Sequence, residues 1–154
     1  MLSCIIYSRI HKIAPLRKII NELFDVAVVS KLTRPTFVYD YPTVLSPLAQ
    51  VKSDDPTIAE RFELFIAGEE VANAYSELNN PLLQKEKFLQ QQKLKDTGKD
   101  DEAVLYDESY ITALEHGMPP AGGLGVGIDR LTMVLAGVQS IREVILFPTL
   151  RPEK

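Results

Sequence analysis

Glycines at every second position form the most distinctive chemical pattern in this sequence of 154 residues. They are Gly123, Gly125 and Gly127, and alternate residues of a β-strand point to the same face. A strand face without side chains allows close approach of a ligand, such as a flat adenine ring. Arg130 follows where the chain enters a helix, and a guanidinium can stack on a base and face phosphate. The pattern predicts a nucleotide site, with a glycine strand packed under a helix as the purely structural alternative.

Two familiar glycine motifs do not fit this stretch. A dinucleotide fingerprint needs a third glycine three residues after the second, but Ile128 and Arg130 occupy the positions three residues after Gly125 and Gly127. A P-loop ends in Gly-Lys followed by Ser or Thr, and the sequence contains no such triplet.

A second polar row lies on the predicted strand 70–77. Period two places Asn73, Tyr75 and Glu77 on one face. Glu77 is suited to an ammonium group, Tyr75 to an aliphatic stem, and Asn73 to a carboxylate or phosphate. The row predicts a pocket wall for a small polar cation, with exposed strand residues as the structural alternative.

Two further carboxylates, Glu63 and Glu70, are hard oxygen ligands of the type that Mg²⁺ shares with substrate phosphates. If Gly68-Glu69 forms a two-residue turn, these carboxylates occupy one sheet face and the row from Asn73 to Glu77 occupies the other. A shared site therefore requires a β-bulge, which we place between Glu70 and Asn73.

The strands and helices that must position these residues do not follow a regular βαβ alternation along the chain. This order predicts an α+β fold with an antiparallel sheet flanked by helices. A helix is predicted over 15–24, a strand over 34–42, and a hairpin over 61–67 and 70–77. Further helices are predicted over 81–96, capped by Asn80, and from Asp107 to His116. The glycine strand spans 121–128, with Leu124, Val126 and Ile128 directed into a core, and Asp129 caps a last helix.

Composition narrows the function classes. The 17 basic and 21 acidic residues give a formal net charge of −4, which argues against a chain-wide basic field for nucleic acid. No apolar run approaches the roughly 18 residues of a membrane span. The single cysteine, Cys4, excludes an internal disulfide framework and fits a reducing compartment. The first 21 residues contain no acid; an unremarkable tail is favoured there over an organelle presequence.

The sequence over 18–154 resembles the C-terminal part of the catalytic domain of bacterial-type class II lysyl-tRNA synthetases, and 1–17 matches nothing in that family. Several blocks carry the resemblance in the family's order: Arg34-Pro35-Thr36-Phe37, Ser46-Pro47-Leu48-Ala49, Arg61-Phe62-Glu63, Asn73-Ala74-Tyr75-Ser76-Glu77-Leu78-Asn79, Glu115-His116-Gly117-Met118-Pro119-Pro120, Gly123 to Arg130, which is similar to motif 3, and Leu146-Phe147-Pro148.

The resemblance implies a role for each candidate residue. Arg130 is similar to the motif 3 arginine that stacks on adenine and faces the ATP phosphates. The remaining implied roles are the strand under the base for Gly123, Gly125 and Gly127, magnesium binding for Glu63 and Glu70, and the lysine pocket for Asn73, Tyr75 and Glu77. It also implies ATP, L-lysine and tRNA(Lys) as substrates, Mg²⁺ as cofactor, a homodimer for the full-length family, a cytoplasmic location and no membrane association.

The sequence departs from the family pattern because motif 1, motif 2 and the anticodon-binding domain have no counterpart in it. Motif 2 supplies the arginine that grips the α-phosphate. We therefore expect a truncated lysine–tRNA ligase that is inactive alone. The alternative is a non-catalytic module of that fold that binds ATP or lysine or has a regulatory role; a ligase that lysylates a protein is disfavoured, since the pocket residues resemble those of the tRNA enzyme.

Overall fold

The structure, a computed structural model, describes residues 16–98, 100 and 103–149. The helices and strands in chain order are α1 (Leu16–Ala27), β1 (Thr36–Tyr39), β2 (Arg61–Ile66), β3 (Glu69–Ser76), α2 (Pro81–Asp96), α3 (Glu108–Glu115), β4 (Gly122–Val126) and α4 (Ile128–Ala136). Short 3-10 turns lie at Val29–Lys31, Thr43–Leu45 and Ile141–Glu143. The segment 1–15 falls outside the described residues, so the predicted division between 1–17 and 18–154 stays a prediction.

The strands form one antiparallel sheet in the order β1-β2-β3-β4. Each strand therefore pairs with its neighbour in sequence, which confirms the predicted α+β fold with an antiparallel sheet. The hairpin of β2 and β3 lies in the centre, so residues on its faces are flanked by strands on both sides.

The hairpin turn lies one residue earlier than predicted. Ile66 pairs with Glu69, and the turn residues Ala67 and Gly68 have φ angles of 54° and 82°. Positive φ at both central positions is the geometry of a type I′ turn, whose twist matches that of the flanking strands. Glycine adopts this conformation without steric cost, whereas Ala67 adopts it with some strain.

The predicted β-bulge is present in β3. Phe65 pairs with Glu70, but the next pair is Leu64 with Ala72, so Val71 is an extra residue without a partner on β2. A bulge shifts the side-chain alternation of one strand by one residue. Glu70 and Asn73, three residues apart, consequently lie on the same sheet face.

The helix boundaries follow capping chemistry. The Asn80 side chain accepts hydrogen bonds from two backbone N–H groups in the first turn of α2, and Asp107 accepts one from Tyr110 N at the start of α3. Both predicted caps are confirmed. The cap of α4 is Gly127 rather than the predicted Asp129, which lies inside the first turn; a carboxylate is stabilised there by the helix dipole.

The core contains two aromatic groups. On one side of the sheet, the Phe24 ring of α1 lies 6.2 Å from Tyr41 and 5.8 Å from Phe65. Between α2 and α3, Phe88 lies 5.7 Å from Tyr110, with Leu78 also fully buried. Among the described residues, no helix is long and apolar enough to cross a bilayer.

The core placement predicted for the residues between the glycines is wrong. Leu124, Val126 and Ile128 are 66%, 44% and 66% exposed, respectively. Leu124 and Val126 lie on β4, which is an edge strand and adjoins only β3, while Ile128 is the first residue of α4 rather than a strand residue. Alternation correctly separates these side chains from the glycines but does not show whether anything packs over them.

Candidate functional site

The sheet register places the predicted site residues on one face. Glu63 pairs directly with Asn73, and Asn73 pairs with Gly125 on the next strand. Tyr75 pairs with Gly123 in the same way. Cross-strand partners share a face, so the two carboxylates and the polar row lie together because of the bulge.

Glu63, Glu70 and Arg130 line a cleft of about 400 Å³, which we call the acidic cleft. Its opposite wall comes from α1, through Phe24 and Asp25. Helix α1 thus packs across the side of the sheet that carries the candidate site. The structure therefore brings together the two predicted magnesium ligands and the predicted phosphate-facing arginine.

Glu63 is buried, with both carboxylate oxygens bound by protein donors. The Tyr41 hydroxyl donates to Oε2 at 2.6 Å, and Arg61 Nη2 donates to Oε1. Only 8% of Glu63 and 8% of Tyr41 are exposed. Burial and the hydrogen bond to Glu63 raise the pKa of Tyr41 above its ordinary range, so the phenol stays protonated and continues to donate.

Glu70 and Arg130 form a looser contact at the mouth of the acidic cleft. Arg130 Nη1 donates to the Glu70 carbonyl oxygen at 3.0 Å and lies 3.6 Å from its carboxylate Oε2. Burial and the nearby Glu63 carboxylate raise the pKa of Glu70, although Arg130 and Arg61 oppose that shift. Asp25 has a raised pKa for similar reasons, with burial first and then Glu22 and Glu63. Four carboxylates and two guanidinium groups therefore line this cleft: Asp25, Glu63, Glu69, Glu70, Arg61 and Arg130.

The residues present fit a divalent cation only as a site shared with a ligand. Glu63 and Glu70 provide two carboxylates, and within the described ranges no group of three or more His, Cys, Asp or Glu side chains could hold a metal ion. Mg²⁺ in nucleotide sites is commonly held by one or two carboxylates together with substrate phosphates and water. The acidic cleft matches that mode and not a closed protein cage.

Asn73 and Tyr75 line a separate, smaller cavity of about 120 Å³, which we call the amide recess. Its other wall is the loop from Leu45 to Ala49. Helix α2 fixes this loop, because Gln84 Nε2 donates to the Pro47 carbonyl at 3.2 Å and Lys87 Nζ donates to the Ala49 carbonyl at 3.2 Å. The amide recess is therefore bounded by hydrogen-bonded backbone on one side and by β2 and β3 on the other.

Glu77 lines a third recess, of about 470 Å³, with residues from the end of β3 and the start of β4. The Glu77 carboxylate also acts on two nearby phenols. Burial, and after it the negative charge of Glu77, raise the pKa of both Tyr75 and Tyr110. The three residues predicted to form one pocket are thus neighbours on one face but line two recesses.

The glycines of β4 have different surroundings. A Cβ at Gly123 would overlap the Glu77 carboxylate, whereas a Cβ at Gly125 would lie 3.8 Å from the Asn73 carbonyl oxygen, an ordinary contact distance. At Gly127 the nearest atom would be the Val71 carbonyl oxygen at 3.6 Å. Gly123 therefore makes room for Glu77, while Gly125 and Gly127 leave a flat surface beside Arg130.

Three residues of this face were not predicted from the sequence: Tyr41, Arg61 and Tyr110. Arg61 precedes Glu63 by two positions, so strand periodicity places it on the same face and is a signal that identifies it. Tyr41 and Tyr110 lie outside the hairpin, on a loop and on α3, and no local pattern connects them to the site.

Comparison with known proteins identifies a family for nearly the whole described chain. The family of tRNA synthetases class II (D, K and N) matches residues 16–151. A lysine–tRNA ligase of Pelotomaculum thermopropionicum is 57% identical over 136 residues, which are 88% of this chain and 27% of that protein. The corresponding ligase of Aquifex aeolicus is 57% identical over 137 residues, 89% of this chain and 23% of that protein.

A third relative extends the match. The lysine–tRNA ligase of Pectobacterium carotovorum is 50% identical over 146 residues, which are 95% of this chain and 29% of that protein. The chain thus spans about a quarter of the length of the curated relatives that it matches. The family match covers far more than half of the chain. It agrees with the antiparallel sheet, whose edge strand begins the stretch that is similar to motif 3. The chain therefore belongs to the class II tRNA synthetases (D, K and N).

Proposed function

We propose that these 154 residues carry the lysine-binding and motif 3 half of a lysine–tRNA ligase site. The support is the arrangement on one sheet face, where the bulge at Val71 aligns Glu63 and Glu70 with Asn73 and Tyr75. Relatives that are about 57% identical bear the name lysine–tRNA ligase, which agrees with lysine as the amino acid.

In the proposed site, L-lysine places its ε-ammonium against Glu77 and its carboxylate near the Asn73 amide. Tyr75 covers the aliphatic stem between these ends. A carboxylate provides a strong, charge-assisted hydrogen-bond acceptor for an ammonium. The spacing of an amide, a phenol and a carboxylate along one strand face suits a ligand that has opposite charges at its two ends.

ATP is proposed to place its adenine on the surface of Gly125 and Gly127. The resemblance also implies Gly123 under the base, but a side chain at Gly123 would meet the Glu77 carboxylate, so we assign the adenine surface to the other two glycines. Arg130 then stacks on the base and leaves its Glu70 contact to face the phosphates. Glu63 and Glu70 would hold Mg²⁺ on the phosphates, where the ion supplies neutralisation of negative charge. Positioning and electrostatic stabilisation of this kind are the principal contributions of protein groups to phosphoryl chemistry.

The proposed reaction has two steps. An oxygen of the lysine carboxylate attacks the α-phosphorus of ATP, the bond to the β-phosphate bridge breaks, and pyrophosphate leaves. A terminal ribose hydroxyl of tRNA(Lys) then attacks the lysyl carbonyl and AMP leaves. A cytoplasmic location, and the homodimer of the full-length family, belong to the same proposal.

The 154 residues on their own are proposed not to complete the first step. The family's motif 2 arginine has no counterpart among them, and loss of one preorganised charge contact commonly lowers a rate by about 10²- to 10³-fold. We expect no lysine-dependent ATP–pyrophosphate exchange from this chain alone. Measurable exchange would contradict the half-site interpretation and leave the family assignment intact.

The binding proposal is tested by titration of the chain with L-lysine and with ATP plus Mg²⁺. We expect Glu77→Gln to weaken lysine binding and Arg130→Ala to weaken ATP binding, each with little effect on the other ligand. Arg142→Ala, at an exposed residue outside the site, is the matched control. Equal binding of both ligands by the wild type and the two site variants would overturn the assignment.

A non-catalytic role as an ATP- or lysine-binding module remains the second candidate, because the chain matches only about a quarter of each relative. It shares the binding expectations above. The two candidates separate when the exchange assay is repeated with a full-length lysine–tRNA ligase added, since a regulatory module changes the partner's exchange rate and a simple half-site does not.

A further inference from the structure

Arg61 lies in the wall between the acidic cleft and the amide recess and lines both. It is the first residue of β2, and only 16% of its side chain is exposed. A largely buried guanidinium needs partners for its donors, because an unpaired charge removed from water is unfavourable. Its partners decide what it does.

The Arg61 side chain binds both sides of this wall. Toward the amide recess, Nη1 donates to Ser46 Oγ at 2.9 Å and to the Leu45 carbonyl at 3.2 Å, and Nε donates to Asn73 Oδ1 at 3.3 Å. Toward the acidic cleft, Nη2 donates to Glu63 Oε1. The guanidinium carbon also lies 4.8 Å from the centre of the Tyr41 ring, within cation–π range.

The bond to Asn73 fixes which end of the amide faces the recess. Arg61 Nε can donate a hydrogen bond but cannot accept one, so the atom of Asn73 that faces it must be the acceptor Oδ1. The Nδ2 group, with two donors and no acceptor, then points away from Arg61. An amide held in this way offers hydrogen-bond donors to a ligand and selects an acceptor such as a carboxylate.

The same guanidinium holds the carboxylate on the other side. Glu63 Oε1 is bound by Arg61 and Oε2 by Tyr41, so the side chain is restrained at both oxygens. The positive charge of Arg61 also opposes the rise in the pKa of Glu70. Lysine has a single ammonium and cannot reproduce a planar fork that binds Ser46, Asn73 and Glu63 together.

We propose that Arg61 is a positioning residue that orients the Asn73 amide toward the ligand carboxylate and holds Glu63 at the edge of the acidic cleft. The proposal rests on the proposed lysine-binding function for the identity of the ligand. Its geometric part, the fixed amide, concerns the ligand-free protein and can be measured separately.

The first measurement is NMR of the Asn73 side-chain amide in the full chain without ligand. We expect an ordered amide in the wild type, and a more mobile amide with altered ¹⁵N and ¹H shifts in Arg61→Lys and Arg61→Met. Arg142→Lys, at an exposed arginine, should leave the Asn73 amide unchanged. An unchanged amide in both Arg61 variants would overturn the proposal.

The second measurement separates positioning from a general structural effect by comparing two ligands. L-lysine has a carboxylate for Asn73, whereas cadaverine (1,5-diaminopentane) keeps both ammonium groups and the five-carbon chain between them but has a hydrogen in place of the carboxylate. Loss of a hydrogen bond to a charged group lowers affinity by about tenfold or more. We expect Arg61→Lys to lose about this factor for L-lysine and to bind cadaverine as the wild type does. Equal losses for both ligands would contradict a positioning role.

Asn73→Asp provides a variant that does not depend on the stability of the Arg61 variants. It keeps an acceptor for Arg61 Nε but removes both amide donors, so we expect a folded chain with selective loss of L-lysine binding. Unchanged L-lysine binding would overturn the proposal. Absence of lysine binding by the wild type would contradict the proposed function instead, and the amide measurement would then decide the role of Arg61 alone.

Discussion

Replacing Gly123 by alanine tests whether this glycine serves Glu77 or the nucleotide. A Cβ at Gly123 would overlap Glu77 Oε1. Among the residues that the structure describes, and apart from the two chain neighbours of Gly123, only the Glu77 carboxyl group would lie within 4 Å of this Cβ. The flexible carboxylate is therefore the group that must move. To reach an ordinary van der Waals separation it must shift by about 1 Å.

The expected effect on binding follows from that shift. A hydrogen bond between charged groups contributes roughly 1.5–3 kcal/mol, so its loss at Glu77 should weaken L-lysine binding by about 10- to 100-fold. ATP binding should change much less, since the overlap is with Glu77 and not with Arg130. Gly125→Ala is the matched control: its Cβ would meet the Asn73 carbonyl oxygen at 3.8 Å, so Glu77 should stay in place while the surface proposed for adenine loses its close approach.

The assay is an NMR titration of each variant with L-lysine and separately with ATP plus Mg²⁺, which detects weak binding. Gly123→Ala should change the Glu77 side-chain shifts before any ligand is added, and Gly125→Ala should not. Lysine binding by Gly123→Ala equal to that of the wild type, with unchanged Glu77 shifts, would refute the placement of Glu77 over this glycine.

Glu70→Gln should raise the free energy of unfolding at pH 7, by less than about 1 kcal/mol for this half-exposed group, because the folded protein raises the pKa of Glu70 through burial and Glu63. Because the pKa of Glu70 is higher in the folded protein than its ordinary value of 4.5, the wild type loses stability as pH rises between these two pKa values. The melting temperature of the variant should therefore depend less on pH over this range. Tyr41→Phe should lower stability by about 1–3 kcal/mol in urea unfolding, since it leaves Glu63 Oε2 without its donor; unchanged stability would contradict that bond. Asn80→Ala should cost about 1 kcal/mol through loss of the α2 cap, with lysine affinity unaffected, and a large change in affinity would show that the helix start matters to the site.

Local chemistry explains which parts of the fold could be predicted from the sequence. The caps at Asn80 and Asp107 and the span of α2 depend on neighbouring residues alone, and the structure agrees with them. The bulge could also be predicted, because regular alternation of side chains would place Glu63 and Glu70 on the sheet face opposite to Asn73. The turn was misplaced by one residue because Ala67 adopts a positive φ, which favours glycine and is uncommon for alanine.

The parts that escaped prediction depend on contacts between distant segments. Tyr41 meets Glu63 across 22 positions, and Gln84 meets Pro47 across 37; no periodicity within one element encodes such pairs. The exposure of Leu124 is similar in kind, because an apolar strand face does not reveal what packs against it. The site residues themselves stay predictions, since their assignment to ATP, lysine and Mg²⁺ rests on chemistry and resemblance.

The most direct test of the central claim is a crystal structure of this chain with L-lysine and ATP bound. The account predicts the lysine ε-ammonium at the Glu77 carboxylate, its α-carboxylate at Asn73 Nδ2, and adenine between Arg130 and the surface of Gly125 and Gly127. Lysine bound away from Glu77, or adenine bound away from Arg130, would contradict it.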